Sequence, residues 1–199
     1  EVSPTVGVLS FTTALADYRR YLLARPVTFA ARGLYYARYG KDAEDETMLY
    51  PLFIGNPALV RGYDVNNFST AECLNSTSIS GCPAFNRLSG SRIAVAGAEV
   101  RVPLLGPEGF GLITTRFIPV ELAPFVDAGL AWQSDAKPEL RFLRGEEARN
   151  STARVPVVST GVAMRVNLFG YAIGEVYYAY PFQRPDKGAH FGFQLAPGW

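Results

Sequence analysis

The chain has 199 residues, enough for one large domain or two small ones, and a formal net charge of +1 gives no electrostatic case for nucleic acid or an acidic substrate. Mean hydropathy is +0.06 and no run approaches the ~18 apolar residues of a spanning helix, which argues against a helical membrane protein. A membrane β-barrel stays open, because its alternating strands average to near neutrality.

Aromatic residues are 13% of the chain, and 19 glycines and 14 prolines disfavour long helices. The chain starts at Glu1 with no signal peptide, which reads as a mature, processed protein or a piece of a longer one.

The dominant period is two. Residues 5–21 (TVGVLSFTTALADYRRY) and 26–39 (PVTFAARGLYYARY) read as strands joined near Leu23 to Pro26. Leu9, Phe11, Thr13 and Leu15 share the first strand's apolar face. Asp17 then falls on that face too, which a bulge or an early exit from the apolar zone explains.

A long polar loop follows at about 40–91. It contains the acidic run DAEDE (42–46), read as solvated, and the stretch ALVRGYD (58–64). Cys73 and Cys82 lie in it as well. They fit a disulfide of an oxidising compartment, with free thiols as the alternative. Zinc lacks ligands, since the one histidine, His190, is far away in sequence.

In RIAVAGAEVRVPL, Ala94, Ala96, Ala98, Val100, Val102 and Leu104 oppose Gly97, Glu99 and Arg101. In PVELAPFVDAGLAW, Val120, Leu122, Val126, Ala128, Leu130 and Trp132 oppose Glu121, Phe125, Asp127 and Gly129. VSTGVAMRVNL sets Val158, Thr160, Val162, Met164, Val166 and Leu168 against Ser159, Gly161, Ala163, Arg165 and Asn167. YAIGEVYYAYPF sets Ala172, Gly174, Val176, Tyr178 and Tyr180 against Glu175. The last segment sets Ala189, Phe191, Phe193, Leu195 and Trp199 against His190, Gly192 and Gln194.

That makes about seven strands of roughly 10 to 14 residues, long against a mode of about 5–6. Short connections (22–26, 105–111, 167–170) alternate with long ones (40–91, 133–154, 182–188), as in an outer-membrane barrel. Tyr21, Tyr39, Trp132, Tyr180, Phe182 and Trp199 near strand ends suit interfacial girdles. The competing architecture is a soluble ligand-binding β-barrel or sandwich. The faces opposite the apolar ones carry small residues and isolated charges, unlike a water-facing surface rich in Lys and Glu.

The order LVRGYD, GAEVRVPL, PFVDAGLAW, STGVAMRVNLFG and a terminal aromatic strand resembles the C-terminal half of the BamA/TamA-type superfamily of bacterial surface-antigen outer-membrane barrels, over nearly the whole chain. The resemblance implies an all-β transmembrane antiparallel barrel in the bacterial outer membrane, acting in protein insertion or export. It also implies a lid loop folded into the lumen, with Arg61 at the tip of Arg61-Gly62-Tyr63-Asp64 docked on wall acids Glu99 and Asp127. Periodicity independently puts both acids on the non-apolar face. Phe191, Phe193, Leu195 and Trp199 then form an assembly signal, which Pro197-Gly198 interrupts; proline cannot donate to the ladder, so pairing there is expected to fray.

The family barrel has sixteen strands, and this chain supplies about half of them. The rest lies elsewhere, or two copies close together, or the chain closes alone with a further strand in 44–60 or 109–118. The last is the favoured expectation. Implied partners are outer-membrane lipid and, beyond it, other outer-membrane proteins or a separate N-terminal or periplasmic partner, with no nucleic acid. The alternative role is a structural or anchoring subunit without transport.

No enzyme chemistry, cofactor or metal is expected. Nothing around His190 makes a triad, and GPEGFG (106–111) reads as a tight turn rather than a phosphate loop. Asn67, Asn75 and Asn150 sit in Asn-X-Ser/Thr sequons, which are chance occurrences in a bacterial outer-membrane protein.

Overall fold

A computed structural model of the chain describes residues 1–7, 9–73, 81–109, 111–115, 118–168 and 171–197. The strands are β1 (Val2–Thr5), β2 (Phe11–Ala24), β3 (Val27–Tyr39), β4 (Leu52–Phe53), β5 (Ser89–Gly90), β6 (Arg92–Gly106), β7 (Ile113–Thr114), β8 (Val120–Trp132), β9 (Val157–Leu168), β10 (Ala172–Pro181) and β11 (His190–Pro197). Two short helices lie in the long connections, α1 (Pro83–Asn86) and α2 (Gly145–Asn150). No helix among the described residues is long and apolar enough to cross a membrane.

The protein is all-β. Nine strands form one sheet in the order β1-β2-β3-β6-β8-β9-β10-β11, with β7 paired to β6. Every ladder between neighbours in that order is antiparallel. The sheet is open: β1 and β11 are its edges, so the expected self-closure is not formed. Among the described residues, neither 44–60 nor 109–118 holds a further long strand. The first contributes the two-residue β4, paired with β5 in a separate ribbon, and the second the two-residue β7. GPEGFG is not a simple hairpin turn either, because Ile113 and Thr114 fold back parallel to Leu105 and Gly106 before β8 begins. An unexpected feature at the other edge is β1, which doubles back on Phe11–Ala14.

The alternation read from β6, β8, β9, β10 and β11 holds in space. Val126, Val162, Met164, Val176, Phe191, Phe193 and Leu195 are all exposed on the outer face, while Ala123, Phe125, Ala163, Tyr177 and Ala179 are buried on the inner one. The aliphatic side chains are therefore turned outward instead of gathered into a dry core. Burying them requires a surrounding apolar phase.

Strand β2 departs from the expectation. Its ladder with β3 is continuous from Thr12–Tyr39 to Ala24–Val27, with no bulge. Leu15 and Asp17 lie opposite Tyr36 and Leu34, which pack on the inner core, so the odd face of β2 is the inner face. Asp17 sits there for a reason: it accepts from Arg19 and Arg32. Tyr21 shares that face and is no girdle residue; the Arg101 guanidinium lies over its ring at 5.1 Å. Tyr39, Trp132 and Tyr180 stay on the outer parity, and Trp199 lies outside the described residues. At the C-terminal edge Pro197 still pairs opposite Ala172, so the expected fraying is not seen at that residue.

Segment 40–91 packs on the inner face. Leu52, Ile54, Val60, Tyr63, Phe68 and Leu88 from the segment join Ile93, Val95, Ala131 and Val157 from the wall in one buried cluster. Gly129 makes the fit possible: a Cβ there would come within 2.6 Å of Val60 Cγ2 and 2.9 Å of Ile54 Cδ1. Cys73 and Cys82 are disulfide-bonded, Cα to Cα 4.9 Å. The acidic run is not simply solvated, because Glu44 accepts from the Ser91 hydroxyl and from the Ser134 hydroxyl and N–H. The sequon asparagine Asn75 lies outside the described residues.

Candidate functional site: the arginine-carboxylate cluster on the inner wall

Parity places the cluster. Glu99 and Arg101 on β6, Asp127 on β8, Arg165 on β9, Glu175 on β10 and Gln194 on β11 all point inward, and strand pairing brings them to one region of the wall. Gly97 lies directly opposite Asp127, and a Cβ there would be 3.1 Å from Asp127 Oδ1, so glycine leaves that carboxylate room to turn.

Arg61 reaches this region from the tip of segment 40–91 and is 6% exposed. Its Nε donates to Asp127 Oδ2 at 2.7 Å and its Nη2 to Asp127 Oδ1 at 2.9 Å. This is the two-pronged match of a planar guanidinium to a carboxylate, the strongest geometry such a pair has. The Arg61 N–H also donates to Asp127 at 3.3 Å. Nη1 has longer contacts, 3.4 Å to Glu99 Oε2 and 3.5 Å to Glu175 Oε1. Beneath the guanidinium, 3.5 Å away, lies the Phe125 ring, whose π-face adds cation-π attraction in a desolvated site. Burial alone would pull the Arg61 pKa down, but the pair with Asp127 outweighs it and holds the pKa above its ordinary value.

The carboxylates are shared. Arg165 donates both Nη groups to Glu99, at 2.8 and 2.7 Å, and its Nε to Glu175. Arg101 Nε donates to Glu99 at 2.7 Å, and the Gln194 amide to Glu175 at 2.7 Å. Three guanidiniums thus face three carboxylates in a network with no formal net charge. Such a network is costly to disturb, because removing any member strands its partner in a poorly solvated place.

The neighbours of Arg61 have separate tasks. Gly62 has φ +85°, a left-handed backbone suited to glycine, and its carbonyl accepts from Arg184 at 2.8 Å. Tyr63 is fully buried; its hydroxyl contacts Gln183 Oε1 at 2.8 Å and the Val158 carbonyl at 3.1 Å, and burial pushes its pKa well up. Asp64 stays out of the wall cluster: its carboxylate accepts from the Asn66 N–H and caps a short 3-10 turn. Phe191, Phe193 and Leu195 are exposed on the outer face of edge strand β11 and touch none of this.

A second clamp was invisible to periodicity. Arg184, in the β10–β11 connection, is 2% exposed. It grips Glu72 through Nε and Nη2 at 2.9 and 2.8 Å, donates to the Asn67 carbonyl at 2.9 Å, and lies over Phe68 at 3.8 Å. Arg165 and Glu175 were also missed, though a signal for them existed. The short β9–β10 turn sets Leu168 opposite Ala172, and that register makes Arg165 and Glu175 direct partners.

A sheet with an apolar exposed face and a charged inner wall against which arginine–carboxylate pairs hold a long loop has the architecture of a barrel wall of the outer-membrane type. The family model of the Omp85 superfamily domain matches residues 6–198, and the chain belongs to the Omp85 superfamily. That superfamily is characteristic of bacterial outer-membrane proteins, and its members act in protein assembly and translocation without enzymatic chemistry. Comparison with curated proteins and comparison with solved structures each gave no match.

Proposed function

We propose that this chain forms barrel wall of the BamA/TamA type in the bacterial outer membrane, corresponding to the C-terminal half of such a barrel, and acts in insertion or export of proteins. Segment 40–91 is its lid. Arg61 is the lock that holds the lid against the wall, with Gly62 and Tyr63 shaping its tip and Glu99 and Asp127 receiving it. Phe191, Phe193 and Leu195 on the terminal strand, together with Trp199, serve as the assembly signal.

The observation that carries this reading is the paired grip of Arg61 on Asp127, made by a loop residue on a wall residue 66 positions away. A solvated loop arginine has no reason to be desolvated in this way. The open edges fit the same reading, since unpaired strand edges in lipid must be completed by further strands.

The test compares parent and Arg61→Ala protein in liposomes, by conductance and by an outer-membrane-protein insertion assay. The reading expects higher conductance and altered insertion once the lid is unlocked, with strand content unchanged. Insertion identical in both, with no conductance in either, favours a structural anchor that keeps the lock without transport.

A further inference from the structure

The outer face carries a charge that the sheet does not answer. Among the described outward-pointing side chains of the long strands, arginine stands at Arg20 on β2 and Arg92 on β6. Arg92 lies over the Tyr39 ring at 4.8 Å. Arg20 lies on the half of β2 nearest the Arg25–Pro26 turn; it is exposed and makes no ion pair with a described residue. A bare guanidinium on a hydrocarbon-facing wall is unfavourable without an anion to meet it.

Beside Arg20 the surface is hollow. Strand register sets Arg20, Ala31, Ala98, Val126 and Thr160 in one row across five strands. Ala31 and Ala98 form a low floor, with Leu22, Phe29 and Val126 standing higher around it. The hollow has a volume of about 460 Å³ and an almost wholly apolar lining. Pro124 lies in the hollow's rim where β6 and β8 are unpaired between Glu99–Phe125 and Val102–Leu122, the register itself unchanged.

We propose that this groove binds one anionic phospholipid, an acyl chain lying in the trough and the phosphate meeting Arg20. The shape and the charge each select part of that ligand. A free phosphate has no use for an apolar trough. A peptide needs backbone partners, which the face of a hydrogen-bonded sheet does not offer. The guanidinium is suited to phosphate oxygens, and its stem can lie along the apolar wall while the head reaches the interface.

The inference rests on the outer face being membrane-facing, and one experiment separates the two. The full chain is purified in detergent and titrated with phosphatidylglycerol, with bound lipid read by native mass spectrometry. The parent retains one lipid. Arg20→Gln weakens retention about tenfold, the scale of one charge-assisted hydrogen bond. Ala98→Phe, which fills the trough, weakens it comparably. Val166→Ala, elsewhere on the same face, leaves it unchanged, and inorganic phosphate does not compete. Equal retention by the parent, Arg20→Gln and Ala98→Phe overturns the site alone, as does displacement by inorganic phosphate or a lipid-free dimer. A chain that stays soluble without detergent overturns the membrane-facing reading and the site together.

Discussion

At the residue scale, the proposed lock of segment 40–91 is the Arg61 guanidinium. Arg61 meets Asp127 through two parallel hydrogen bonds, so a lysine keeps the charge and loses the geometry. Arg61→Lys is therefore expected to release the lid partly and Arg61→Ala fully, measured by hydrogen exchange of the Val60–Tyr63 amides. Equal protection in both variants would contradict this. A second residue gives a pH dependence. Burial would raise the Glu44 pKa, but hydrogen bonds from Ser134 and Ser91 win and hold it below the usual glutamate range. A depressed folded pKa contributes stability above the ordinary glutamate value and loses it as pH falls through the folded one. Protection of the 42–46 amides, measured relative to the intrinsic exchange rate at each pH, should therefore fall on acidification through the ordinary glutamate range, and Glu44→Gln should flatten that response. A Gln variant with the parent's pH profile would sink the assignment.

At the scale of elements, glycines on the inner wall make room where other strands carry side chains. A Cβ at Gly161 would overlap the Tyr178 carbonyl oxygen and come within 2.9 Å of Phe125 Cζ. Gly161→Ala should destabilise the β9–β10 ladder by about 1–3 kcal/mol, the range for overpacking, and disturb the ring under Arg61. Hydrogen exchange along β9 and β10 measures this; unchanged protection would show the backbone absorbing the methyl. Period-two alternation made most strands legible, because two different environments on the two faces of the sheet impose it residue by residue. It failed on β2, whose inner face mixes an exposed Leu15 with Asp17, because Asp17 is answered there by Arg32 from β3. Hydropathy alone cannot tell that face from a lipid-facing one. The lid arginine and both wall acids could be named from sequence. Arg184 and Glu72 could not, because they lie in irregular connections where spacing does not fix which side chains meet.

At the scale of the molecule, wall and lid stabilise each other. The lid buries Ile54, Val60, Tyr63 and Leu88 against β6, β8 and β9, while Arg61 and Arg184 anchor it to two different places on the wall side. If both anchors hold one body, Arg184→Ala should also expose the lid, with less effect on the Asp127 end than Arg61→Ala. The most direct test of the whole account is limited proteolysis of segment 40–91 in membrane-reconstituted protein carrying Arg61→Ala, Asp127→Ala or both. Breaking a buried pair costs about 3–5 kcal/mol, so each single change should speed cleavage by roughly two to three and a half orders of magnitude where cleavage follows the open population. The double variant should be cut no faster than the worse single one, since the two residues act as a unit. Cleavage at the parent's rate in all three, or effects that simply multiply in the double variant, would show that Arg61 does not lock the lid to this wall.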